Sequence, residues 1–538
     1  MVGLTGAALD AADPPPRAFE LRDAVLRLRL SQLVRTRERY VRSPLRALAR
    51  QLELGPAVWQ GQLAAIELSP EEDLADLLTV VRAAGASLAW PPPTADAPAP
   101  RPEQVVFNCV FEAEPLRWLA PRLRRFVPQP AERLPPEGVD WLCEGDGIQL
   151  ARCGSLLNLS LCRRYGDPFA QRGVIPRPLA DPPSLFDAQA DAEVLVALDR
   201  VYRWAAPTLR AAVHTELHPL LPTDEQLRGA QAEVSWRLGP AGLTERLRLV
   251  HPRLGPLAAG QEVDRTLLAG LPGDTLWALA LRLGPEEAAS WGEALIGRLP
   301  LSRRLLIDGA LLVEGLPRLK TLCALPCGHV LFYAREVGGI PALTLALEAD
   351  GAVARDLLAG LADRLEWMVD GTGDCHGMIG ILPVHLGVRE GWLIATTDGR
   401  GVAAHEARAG GFLDHAGVSA ALAALPEGPL RLIGLSRSPA VWQRLARMAR
   451  VAVALDPAVE ACARPLQLDT LPAALEALAP SAGSCHLMQH SGAWEVHASG
   501  LCGGPLSQAL LGVGLVGWWR WRQATPQRER PDPAGPAE

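Results

Sequence analysis

Cys323, Cys327 and His329, in the run CALPCGH, form the densest set of soft donors in the chain. Thiolate and imidazole are the ligands that zinc gathers in tetrahedral sites. Pro326 and Gly328 suit a bend that would turn both sulfurs inward. The cysteines stand four apart, one residue wider than a compact zinc knuckle, and no second pair follows closely. Cys375 and His376 would have to complete the sphere from further along the chain. The expectation is a zinc-competent Cys/His site built from two distant segments, set against the plainer one of apolar cysteines at strand edges and no cofactor.

The other polar constellations are weaker. His214 and His218 in HTELH lie one helical turn apart and could share a metal, but Pro219 follows at once, which fits imidazoles at a helix end. His486, His490 and His497 fall in one hairpin; His486 and His490 share strand parity, Gly492 in the turn resets it for His497, and a surface pair is expected. GTGDCHG at 371–377 is glycine-rich yet lacks GxGxxG spacing and a P-loop lysine. It also precedes a strand, the wrong order for a phosphate cradle, so no nucleotide is expected. Cys375 and His376 are adjacent, and neighbours on an extended chain face opposite ways, so they make no nucleophile–base pair. No GxSxG elbow occurs. The expectation leans away from an enzyme.

The segment from Leu501 to Trp519 carries no charge. As a helix it would run about 28 Å, close to the thickness of a bilayer's hydrocarbon core. Leu510, Leu511, Val513, Leu515 and Val516 supply its apolar body. Trp518, Trp519 and Trp521 form an aromatic belt, and Arg520, Arg522, Arg528 and Arg530 follow. The expectation is an apolar helix over 501–521 that anchors the protein to a membrane, with a disordered tail at 522–538. The trailing arginines would hold that tail in the cytoplasm and put residues 1–500 outside, yet the first thirty residues carry no export signal. The orientation is therefore left open. Ten scattered cysteines point instead to a reducing, cytoplasmic compartment.

Elements must position these residues. With 538 residues, 49% hydrophobic and 21% charged, the chain is globular and long enough for several cores. A net charge of -7 argues against a dedicated nucleic-acid binder. The exception is residues 1–50, with ten arginines against five acidic residues, where a basic helix could touch anionic lipid or nucleic acid. Residues 1–90 read as a helical N-terminal region and the Pro-rich 91–103 as a linker. Beyond it, a strand, an amphipathic helix and a hairpin recur in five units, opening at Val105, Glu193, Thr275, Pro341 and Pro429. The hairpin turns fall at Gly154-Ser155, Gly239–Gly242, Asp308-Gly309, near Gly391, and at Ser491-Gly492. Strand starts 88 residues apart in two pairs predict a duplication in which 104–251 matches 341–501 and 252–335 bridges them. The fold class expected is α+β, with tandem strand–helix–hairpin units forming largely antiparallel sheets, helices on one face.

The phrases LPGDTLWALAL at Leu271 and LPEGPLRLIGL at Leu425 resemble a loose set of large bacterial proteins, of planctomycete and myxobacterial type, that carry a domain of unknown function. The resemblance spans roughly 190–500 and is architectural. It implies a repeat protein of a kind often anchored to membranes and brings no catalytic residues with it. The repeat and the apolar tail together give the expectation of a non-catalytic, membrane-associated scaffold or binding protein with a protein partner.

Overall fold

The structure is a computed structural model. It describes residues 17–21, 25–30 and 33–46, the strands between 81 and 178, and then chiefly 185–447 and 482–501.

The first strands are β1 (Arg17–Leu21), β2 (Leu26–Leu30), β3 (Val81–Ala89) and β4 (Gln104–Glu112). β5 (Asp140–Gly145), β6 (Ile148–Cys153), β7 (Leu156–Arg164), β8 (Val174–Pro178) and β9 (Ala192–Ala197) follow. The middle of the chain forms β10 (Gln231–Gly239), β11 (Gly242–Val250), β12 (Thr275–Arg282), β13 (Pro326–Val337) and β14 (Ile340–Ala349). Then come β15 (Met368–Val369), β16 (Cys375–Ile379), β17 (Leu382–Arg389) and β18 (Trp392–Thr396). β19 (Leu432–Ser436), β20 (Gly483–His490) and β21 (Ala493–Gly500) close the series. The principal helices are α1 (Leu33–Arg42), α2 (Leu198–Ala212), α3 (Pro285–Arg298), α4 (Leu301–Val313), α5 (Gly351–Arg364), α6 (Gly401–Ala407) and α7 (Ala416–Ala423).

β1 pairs with β8, and every other strand joins one antiparallel sheet, so the protein is α+β. Across that sheet the order is β5-β6-β7-β4-β3-β2-β9-β10-β11, then β21-β20-β19-β12-β13-β14-β18-β17-β16-β15. β5 and β15 are the two ends, each with a single partner among the described residues. Both runs lead from a meander, through three strands (β4-β3-β2 and β14-β13-β12), to a strand–hairpin trio. β11 and β21 join them, with Arg246 opposite His497.

Directly opposed residues share a face of the sheet. One row can be followed from Arg29 through Glu193, Ser235, Arg246, His497 and His486. It continues through Ile433, Ala280, Leu331, Ala346 and Ile394 to Gly387. The apolar end of the row is the main core: Ile433, Ala280, Ala346 and Ile394 are fully buried against Phe412, Val402 and Val418. The opposite face packs against α5, where Leu358 and Ala362 meet Cys375, Leu386, Val388 and Leu393. Helices thus cover both faces of this part of the sheet, not one as expected. The alternation Leu393, Ile394 gives apolar side chains to each side.

Three further expectations are corrected. Among the described residues of 1–90, α1 is helical as expected but β1, β2 and β3 are strands: LRLRL has period two, and β2 lies between β3 and β9 inside the sheet. The N-terminal arginines are partly used up there. Arg29 is buried within 3.8 Å of Glu193, and Arg39 on α1 pairs with Asp191 at 3.0 Å. The hairpin at Asp308-Gly309 is instead α4, which leaves Leu301, Leu305, Leu306, Leu312 and Val313 exposed. The segment 252–335 is no separate bridge, because β12 and β13 are interior strands of the same sheet. The hairpins at Gly154-Ser155, Gly239–Gly242, Gly391 and Ser491-Gly492 are borne out by the register.

Candidate functional site

The β16–β17 hairpin brings two histidines together. Its register sets Ile379 against Leu382, so counting back along both strands places His376 opposite His385. Their Nδ1 atoms are 2.7 Å apart. Behind His376, the turn 370–374 folds around Asp370, whose Oδ1 accepts the Thr372 N–H (2.8 Å), the Thr372 hydroxyl (2.7 Å) and the Asp374 N–H (3.0 Å). Gly373 supplies the positive φ of +83° that the turn requires. Oδ2 is left to face His376 Nε2 at 3.1 Å. The Thr372 hydroxyl, then His376, holds the Asp370 carboxyl far below the usual carboxylate range. An ionised carboxylate only accepts, so His376 Nε2 donates to it, His376 Nδ1 accepts, and His385 Nδ1 donates. Burial and the neighbouring His376 push His385 below the ordinary histidine value, against the opposing pull of Asp398.

The other face of the same strands holds a groove of about 760 Å³ beneath α5. Leu358 and Ala362 form one wall, and Trp367, Val369, Cys375 and Val388 the other. The Trp367 ring lies directly on Gly377, where any Cβ would fall 2.2 Å from it. Arg389 closes the rim, held by Asp374 at 2.8 Å and Glu406 at 3.2 Å. β15 covers only Cys375 and His376 of β16. Met368, Val369 and Met378 are exposed there at 74%, 58% and 57%.

A second cross-strand pair lies near the centre of the sheet. His486 and His497 stack with ring centroids 5.0 Å apart, 3° from parallel. Glu495 bonds His497 and takes Arg246 Nε at 2.8 Å. Those two partners outweigh burial and hold Glu495 down at about 2. Burial, then His497, pushes His486 down to about 4. A third histidine, His405 on α6, is buried against Tyr333, sharing a 3.1 Å hydrogen bond through Nδ1. Burial lowers it to about 4 and raises Tyr333 to about 12.

The expected Cys/His set is not brought together. His329 bonds Glu348 through its backbone N–H (2.7 Å) and Nδ1 (2.9 Å), and the Cys327 thiol points at the Glu348 carbonyl at 3.4 Å. Cys375 is buried under α5 on β16, with β14, β18 and β17 between it and β13, and His376 faces away from it. Burial raises the Cys327 and Cys375 thiols and takes Cys485 to about 11, so none of these is an activated nucleophile. Cys323, His214, His218 and the anchor residues from Leu510 to Trp521 lie outside the described residues. Among the described residues, no helix is long and apolar enough to cross a membrane, and no three metal-ligating side chains converge.

Sequence reasoning missed His385 and the stacking of His486 on His497. Both follow from hairpin arithmetic: a two-residue turn between 490 and 493 puts 486 opposite 497. No family model, curated protein or solved structure matches this chain.

Proposed function

We propose that the chain is a non-catalytic binding scaffold, anchored to a membrane by its apolar C-terminal segment, whose sheet edge takes an extended segment of a partner protein. The observation that carries this reading is the bare end of β16 beside the groove under α5. Gly377, Met378 and Ile379 have β17 on one side and no strand on the other among the described residues. A sheet edge of this kind is a template for strand addition, with main-chain hydrogen bonds giving affinity and alternate side chains giving selectivity. An added strand with apolar residues at every second position would set them against Trp367, Val369 and Val388. Raised thiol pKa values argue against cysteine chemistry, and the charge balance against nucleic acid.

The architecture is, on this reading, a duplication of one unit over 26–250 and 275–500. The matching order of pairings from the two ends supports it, as does the nearly equal length of the two spans. It extends the match expected for 104–251 and 341–501 to include β2, β3, β12 and β13.

A fluorescein-labelled decapeptide alternating valine and serine, titrated into the full chain, tests the edge. Binding by anisotropy that Val369→Arg weakens at least tenfold, with new hydrogen-exchange protection at 377–379, is the expected result. Absence of binding, or binding indifferent to Val369→Arg, overturns it.

A further inference from the structure

The Asp370–His376–His385 cluster lies on the face of the sheet away from the groove, and strand addition makes no use of it. Its geometry is that of a metal ligand with its outer support in place. Histidines that bind metal through one ring nitrogen commonly donate the other N–H to a carboxylate, which fixes the tautomer and the ring orientation. His376 does this: Nε2 faces Asp370 at 3.1 Å, and three further hydrogen bonds to Oδ1 lock that carboxylate. The lone pair of His376 Nδ1 is thereby aimed at His385 Nδ1, 2.7 Å away.

We propose that His376 and His385 chelate a divalent transition cation of the imidazole-preferring class, Cu²⁺, Ni²⁺ or Zn²⁺, through their two Nδ1 atoms. Two nitrogens each about 2.1 Å from a metal lie roughly 3.0–3.4 Å apart for angles between square and tetrahedral. The rings therefore need to part by a few tenths of an ångström and each to turn by roughly 35–45° so that both lone pairs converge on one point, and His385 shifts its proton from Nδ1 to Nε2. Both rings retain solvent access, with the His376 side chain 25% exposed, so water fills the remaining positions. Two protein ligands make a modest site, tightest for Cu²⁺ on the usual order of affinities.

Full-length protein stripped with chelator and dialysed against CuCl₂, NiCl₂ or ZnCl₂ gives the stoichiometry by metal analysis. The expected result is one equivalent that His376→Gln and His385→Gln each remove, while Asp370→Asn weakens it about tenfold. The unsubstituted chain provides a readout that does not depend on variant folding. Bound metal should shield His376 and His385 from diethyl pyrocarbonate, read by peptide mass spectrometry, and leave exposed His490 reactive. Unchanged stoichiometry in either variant, an equivalent removed instead by His486→Gln, or unshielded His376 and His385 at millimolar cation overturns the proposal.

Discussion

Replacing His405 with glutamine removes one buried titration and should flatten the acid limb of the stability profile. His405 is 6% exposed, its Nδ1 shares a hydrogen bond with the Tyr333 hydroxyl, and its ring stacks on Tyr333 and meets Trp392 edge-on. Burial, helped by Arg408, lowers it from the ordinary value of 6.5 to about 4, so the folded protein holds it neutral. Above pH 6.5 the ring is neutral in both states and the term vanishes. Between pH 6.5 and about 4 the unfolded chain takes up a proton that the folded one refuses, and stability falls with pH. At about 1.4 kcal/mol per pH unit the full loss is about 3 kcal/mol. Glutamine can still pair with Tyr333 but cannot titrate. Urea midpoints followed by tryptophan fluorescence from pH 7.5 down to pH 4.5 should show the parent losing about 2 kcal/mol more than His405→Gln. Parallel profiles for the two proteins would refute the assignment of His405 as a neutral buried group.

Three other outcomes are expected. Gly242→Ala should destabilise the fold by about 3 kcal/mol or more, because φ is +128° and a Cβ would sit 2.2 Å from the Gly500 carbonyl at the β11–β21 joint; a midpoint near the parent's contradicts that contact. Glu193→Ala should cost about 3–5 kcal/mol, since this fully buried carboxylate accepts the backbone N–H groups of Leu185, Phe186 and Asp187; a urea midpoint within about 1 kcal/mol would show the loop is held otherwise. Deleting 502–538 should move the protein from the membrane pellet to the supernatant on fractionation, and a full-length chain already in the supernatant removes the anchor from the reading.

What was legible in the sequence was local. The hairpins β10–β11 and β20–β21 announce themselves through Gly242 and Gly492, whose positive φ tight turns need. β12 and its helix α3 follow from dense apolar residues running into Pro285 at a helix start. Non-local pairing was not legible. Nothing in LRLRL says that β2 will sit between β3 and β9, so its short alternation was absorbed into the helical stripe that follows it. Asp308-Gly309 has turn chemistry, but the leucines around it form a helix. The Cys/His set failed for the same reason: Cys327 and His329 lie in one hairpin with Glu348, and sheet order puts β14, β18 and β17 between them and Cys375. The histidine pairs were within reach, because a register needs only the turn.

The continuous row across the sheet explains why the two halves, alike in connectivity, differ in what they can do. On that row β2 carries Arg29 opposite Glu193 of β9, whereas β12 carries Ala280 opposite Ile433 of β19. A buried charge must find partners, and Glu193 finds them by drawing down the backbone of 185–187 as well as Arg29. From β19 to β18 the same face is apolar and is sealed by Val402, Phe412 and Val418. α5 lies over the opposite face, so the far strands β15 to β17 have one side for a groove and the other for the Asp370 turn and its histidines. The change from polar to apolar occurs just beyond the joint, between His486 on β20 and Ile433 on β19. Candidate chemistry therefore concentrates at the joint and at the end of the second half, where the apolar row gives way at Gly387 to Asp374.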